Sequence, residues 1–138
     1  KSAQAFENAL RFTPPYFSPH YKATVKVALG EVYIQKGKLD EAFTLLMEAR
    51  PDTPKPSEVD NLLGIIAIKL SEKEKAALYF KRALLENKDY APAHHNLGIL
   101  YMESDEVQMG IQELMEAARL NPNYRNTLSQ YGISPYDE

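Results

Sequence analysis

The side chains with the most chemical potential in this 138-residue chain are its three histidines and its short acidic runs. His94 and His95 are adjacent, and imidazoles are the commonest metal ligands. On a helix, however, neighbours project about 100° apart, so the two rings make poor joint ligands. His94 is expected to pack between helices, and His20 stands alone near a helix start. The carboxylates gather as Asp40-Glu41, Glu72 to Glu74 and Asp105-Glu106. Each group falls at the start of an expected helix, where negative charge favours the helix dipole. The chain has no cysteine, which removes thiolate nucleophiles, thiolate zinc sites and disulfides. No glycine-rich phosphate loop, nucleophile elbow or zinc-ligand spacing occurs. The reading is therefore of a chain that is no enzyme and uses no metal or cofactor.

Composition sets wider bounds. Apolar residues make up 44% and charged residues 25%, the balance of a folded, soluble protein. The net charge of −3 argues mildly against non-specific nucleic-acid binding, which needs a basic patch. No apolar run approaches the roughly 18 residues that cross a membrane; the longest, Leu62–Ile68, is broken by Gly64. A cytoplasmic location is favoured. The chain begins at Lys1, so a periplasmic or anchored location set by an upstream segment stays open.

The elements that carry these side chains are legible from a repeat. Leu-Gly occurs as Leu29-Gly30, Leu63-Gly64 and Leu97-Gly98, each 34 residues from the next. Counting repeats from Ala23, Ser57 and Ala91, the eleventh position holds Tyr33, Ala67 and Tyr101. The twentieth holds Ala42, Ala76 and Gly110, the twenty-fourth Leu46, Phe80 and Leu114, and the twenty-seventh Ala49, Ala83 and Ala117. Phe6, Ala9 and Pro14 continue the register upstream, and Leu128, Tyr131 and Gly132 continue it downstream until Pro135 stops the last helix. Apolar residues within each repeat fall at helical spacing. Small residues recur where helices must approach, as at Gly98 with Gly110 and Gly64 with Ala76. Gly37 suits a left-handed helix end, with Ser71 and Asp105 in the same slot. Ser18-Pro19 reads as N-cap and first helical residue, and Ser57 as an N-cap before Glu58. Pro51, Pro54 and Pro56 should end a helix near Arg50. Alanine at position 67 leaves a smaller contact or a differently filled gap.

A 34-residue period with this pattern resembles the tetratricopeptide-repeat family over nearly the whole chain. The stretch "YAPAHHNLGILYMESDEVQMGIQELMEAARLNPNY" matches best. The resemblance implies an all-α fold, a right-handed superhelical array of antiparallel helix pairs. Residues 1–16 would be the second helix of a preceding repeat, 23–56, 57–90 and 91–124 full repeats, and 125–134 a capping helix.

The family binds peptides through the first helix of each repeat, along the concave side. Carried onto this chain, the matching positions are Val27, Glu31, Ile34, Asn61, Leu62, Ile65, Ile68, His95, Asn96, Ile99 and Met102. That predicts an apolar groove with Glu31, Asn61, His95 and Asn96 as polar handles; Ile65, Ile68 and Ile99 are equally open to packing against a neighbour. One subfamily holds the C-terminal carboxylate of heat-shock chaperones in a lysine–asparagine clamp. The matching slots here are Val27, Glu31, Leu62, Pro92 and Asn96; none is basic, and Glu31 would repel a carboxylate. The expected partner is a protein or peptide segment with apolar side chains. A self-associating spacer stacking through uncapped repeat ends, or the interaction arm of a larger enzyme such as a glycosyltransferase, are the alternatives.

Overall fold

The computed structural model describes residues 2–14 and 16–134, and the proline at 135 lies outside that range. Among the described residues the order is α1 (Ser2–Arg11), α2 (Pro19–Gln35), α3 (Leu39–Ala49), α4 (Pro56–Lys69), α5 (Lys73–Glu86), α6 (Ala91–Glu103), α7 (Val107–Leu120) and α8 (Arg125–Gln130), with a 3-10 turn at Pro122–Tyr124. Consecutive helices pack in pairs, α2 with α3, α4 with α5 and α6 with α7. The pairs stack into an α-α solenoid, so each pair hides its apolar face against its neighbours.

Local chemistry sets the boundaries. The Ser18 side chain accepts from the Tyr21 N–H at the start of α2, with Pro19 at the first helical position. Gly37 closes α2 at φ +80°, a conformation glycine adopts without steric cost. Ser71 and Asp105 take the same left-handed geometry at φ 60° and 62°. Arg50 is the C-cap of α3, ahead of the proline-rich connection. Ser57 departs from expectation. With Pro56 at the head of α4 and Lys55 as the cap residue, Ser57 lies inside the helix. Its hydroxyl is buried and donates instead to the Ala83 carbonyl of α5 at 2.8 Å.

Within each pair, a glycine on the first helix meets a bulky residue on the second. A Cβ at Gly64 would stand 2.4 Å from the Phe80 ring, whereas one at Gly30 would stand 3.1 Å from the end of Leu46. A Cβ at Gly110 would lie 3.1 Å from the Gly98 carbonyl oxygen, the close approach expected of that pair. In the middle pair, phenylalanine replaces the leucine of its siblings. Ala67, only 2% exposed, belongs to the same buried cluster as Phe80, so its missing ring leaves no open gap.

The eleventh-position tyrosines look backward. Tyr33 donates its hydroxyl to Glu7 on α1, and the Lys81 ammonium of α5 lies 5.9 Å from the centroid of the Tyr101 ring.

 That ammonium caps the ring from the preceding helix pair, much as Lys38 caps the Tyr33 ring at 5.3 Å.

A second regularity concerns charge. Lys26 on α2 pairs with Glu48 on α3 at 3.1 Å. Asp60 on α4 pairs with Arg82 on α5 at 2.6 Å. His94 on α6 meets Glu113 on α7 at 2.6 Å, and its charge helps hold the Glu116 carboxyl below the usual range, after the larger effect of the Arg119 hydrogen bond. Asp60 is the extreme case, with no exposed surface. Arg50 grips it with two bonds, Nε to Oδ1 at 2.8 Å and Nη2 to Oδ2 at 2.9 Å. Arg82 adds Nε and Nη2 bonds to Oδ1 at 2.9 and 2.6 Å. One carboxylate therefore ties the end of α3 and the body of α5 to α4.

Two stability measurements follow. Gly64→Ala should cost about 1–3 kcal/mol, because the stiff Phe80 ring must move. Gly30→Ala should be near neutral, since Leu46 can yield and alanine regains up to about 1 kcal/mol of helix propensity. Urea unfolding of both variants reads the order, and equal losses would contradict it. Replacing Arg50 and Arg82 together by alanine should cost about 3–5 kcal/mol, because it strands a buried carboxylate. Asp60→Ala should cost less, since the arginine side chains are 26% and 41% exposed and can turn to water. The reverse order would show that the arginines, not the carboxylate, carry the burial penalty.

Candidate functional site

The first helices α2, α4 and α6 lie side by side and form one face of the solenoid. Two hollows open between them, and α4 borders both.

The hollow between α4 and α6 is apolar, with a volume of about 320 Å³. Ile65 and Ile68 line it from α4, and Ile99 and Leu100 from α6. Phe80 reaches it from α5, past the bare backbone of Gly64. Lys69 and Glu103 add one charge of each sign. Ile68 remains 38% exposed, a large aliphatic side chain left beside a cavity. Asn96 also lines this hollow, and its amide donates to Asn61 Oδ1 at 3.0 Å. The two predicted asparagine handles thus hold one another and brace α4 against α6.

The hollow between α2 and α4 differs in chemistry. Its volume is about 360 Å³, and Val27, Ala28, Glu31, Lys55 and Glu58 are among its lining residues. Burial pushes the Glu31 carboxyl above its ordinary value, and the Glu58 charge pushes it further. Burial likewise drives the Tyr90 phenol up to about 12, with Glu58 and Glu31 adding to the effect. The phenol therefore stays neutral, and the carboxylates give this end of the face its charge.

The residues expected to form the groove separate into groups. Ile65, Ile68, Asn96 and Ile99 come together around the apolar hollow. Glu31 lies in the acidic one, with the edge of Val27. Val27, Ile34, Asn61 and Leu62 are 4–8% exposed. Ile34 and Leu62 belong to the core cluster of α2, α3 and α4. Met102 packs against the Leu114–Leu128 cluster, in space that a Cβ on Gly110 would fill. His95 is already engaged: its ring stacks on Tyr124 at 4.5 Å, and Nε2 lies 2.7 Å from Thr127 Oγ1. Burial lowers its pKa, against a hydrogen bond with Asn96 that raises it. His94 has separate partners, Glu113 and the Lys88 carbonyl. Phe80, Lys69, Glu103, Glu58 and Tyr90 were not among the expected residues. Glu58 occupies the second position of its repeat and Lys69 and Glu103 the thirteenth, so periodicity could have found them. Phe80 and Tyr90 come from outside the first helices and carry no such signal.

A family model for the tetratricopeptide repeat matches residues 23–49 and 91–124. The protein O-mannosyl-transferase TMTC2 of Mus musculus is 29% identical over 75 residues, covering 52% of this chain and 9% of its own length. The Homo sapiens protein of the same name is 26% identical over 97 residues, covering 68% and 12%. The chain thus spans a small part of the curated relatives it matches. Among solved structures, BtubC from P. vanneervenii aligns with a TM-score of 0.73 at 20% identity, over 87% of this chain and 54% of its own. The first repeat domain of Spaghetti (RPAP3), bound to the HSP90 peptide SRMEEVD, aligns with a TM-score of 0.71 at 19% identity, over 83% and 94%. MamA aligns with a TM-score of 0.67 at 22% identity, over 87% and 67%. The repeat spacing, the paired helices and these matches together show tetratricopeptide repeats, matched by the family model at residues 23–49 and 91–124, on an α-α solenoid fold.

Proposed function

We propose that the chain is a non-catalytic adaptor that holds a partner segment along the face formed by α2, α4 and α6. The observation that carries this reading is the apolar hollow walled by Ile65, Ile68, Ile99 and Leu100. Concave apolar surface beside a few polar groups is the usual form of a peptide-binding site. The bound peptide of the Spaghetti domain gives a precedent for ligand binding by this fold. Of the expected residues, Ile65, Ile68, Asn96, Ile99 and Glu31 would touch the partner. Val27, Ile34, Asn61 and Leu62 would support the groove, and His95 and Met102 would hold its C-terminal end. In this reading the full repeats run 23–56, 57–90 and 91–124. Residues 1–16 supply a preceding second helix, which the Tyr33–Glu7 bond favours, and 125–134 form a cap.

A second reading has one specific support. Both TMTC2 proteins are named as mannosyl-transferases and are far longer than the matched segment. The chain would then be the interaction arm of a larger glycosyltransferase, with the same groove doing the holding.

Replacing Ile65 and Ile99 together by glutamine tests the groove. Affinity capture with the intact chain should recover partners that the variant loses by at least about tenfold, each lost contact being worth about 1–3 kcal/mol. Circular dichroism and light scattering should show the variant folded and in the same oligomeric state. Loss of self-association or of folding, with partner capture unchanged, would instead favour a structural spacer.

A further inference from the structure

The acidic hollow is not explained by an apolar ligand alone. Glu31 on α2 and Glu58 on α4 line it together, and neither makes an ion pair among the described residues. The groups facing them are few. Lys55, on the connection before α4, lines the same hollow without pairing to either carboxylate. Tyr90, at the cap of α6, stands over Glu58 as a neutral phenol. Thr24 and Thr53 are uncharged. Two carboxylates and one lysine leave the site net negative. The Glu58 charge works against ionisation of Glu31 in the shared hollow, and a cation from outside would relieve it.

The apolar hollow lies along the same helix. Glu58 is in the first turn of α4, and Ile65 and Ile68 follow two to three turns later. At 1.5 Å per residue the separation is about 10–15 Å. An extended chain covers that in about three to five residues.

We propose that the groove selects a segment carrying a lysine or arginine about three to five residues from an aliphatic side chain, the cation lying between Glu31 and Glu58 and the aliphatic group between Ile65, Ile68 and Ile99. This rests on the peptide-binding reading above and adds the partner's charge to it. The acidic peptide held by the Spaghetti domain is the opposite ligand, and its carboxylates would meet Glu31 and Glu58 head-on.

The probes are acetylated, amidated nine-residue peptides with one leucine and one lysine separated by one to six residues. Two matched series replace the lysine by glutamate or by norleucine. Amide chemical shifts of the full chain, which register millimolar binding, give the affinities. The lysine series should bind about five- to tenfold more tightly than the norleucine series at the favoured spacing, and the glutamate series more weakly than either. Raising the salt from about 20 to 500 mM should shrink the lysine preference. The double variant Glu31→Gln with Glu58→Gln should keep its helicity while its affinities for the lysine and norleucine series become equal. Equal binding of lysine and norleucine peptides, or a lysine preference that survives the double variant, overturns the charge assignment. In that case leucine-dependent binding abolished by Ile65→Gln would leave the groove itself standing. If no series shifts any residue of α4 or α6, both the assignment and the groove reading fail.

Discussion

The stack depends most on one buried carboxylate. Apolar contacts between helices are non-directional, and a repeat array could slide along them. Asp60 removes that freedom. It has no solvent contact, and the two guanidiniums that satisfy it arrive from the helices on either side of α4. Burying an ion yields little net stability, but once it is buried its partners have very few acceptable positions. The end of α3 and the body of α5 are therefore placed relative to α4 by bonds of 2.6–2.9 Å. Both hollows on the inner face are bordered by α4, so the geometry of the groove inherits this constraint.

Much of the fold was legible because its determinants are local or periodic. The Leu-Gly spacing, the Ser18-Pro19 start, the Gly37 stop and the end of α3 at Arg50 all depend on a few adjacent residues. Ser57 misled because its hydroxyl had two possible uses. A proline ahead of it moved the helix start, and the Ala83 carbonyl, 26 residues away in sequence, accepts its hydrogen bond. Asp60 carried a signal of its own kind. Lys26 with Glu48 and Asp60 with Arg82 are opposite in sign and share one offset in the repeat, the offset that also separates His94 from Glu116. Reading it requires comparing columns of charge across repeats, whereas apolar periodicity is visible within one.

The site was legible in direction but not in depth. Periodicity names the residues on one face of a helix. It does not say how far a neighbouring helix overlaps that face. Val27, Ile34, Asn61 and Leu62 lie on the predicted positions yet are covered by the seam with the next helix. Ile65, Ile68 and Ile99 lie where α4 and α6 part. Phe80 belongs to the groove through an absence, since only a residue without Cβ at position 64 lets a second-helix ring reach the inner side. His95 is taken by Tyr124 and Thr127, partners more than twenty-eight residues downstream that no helical pattern places.

The alternating charges between paired helices have a consequence for folding. Tandem repeats of similar sequence are prone to mispairing, because any first helix resembles a fit for any second helix. Here an exchange of neighbours is penalised. Asp60 would face Glu48 or Glu116 in a wrong pair, and Lys26 would face Arg82. A displaced pairing would leave the buried Asp60 without Arg82 and beside a like charge, a cost the proper pairing avoids. The order of signs along the chain thus acts as a lock-and-key code between otherwise interchangeable parts, keeping each repeat with its own second half as the array assembles.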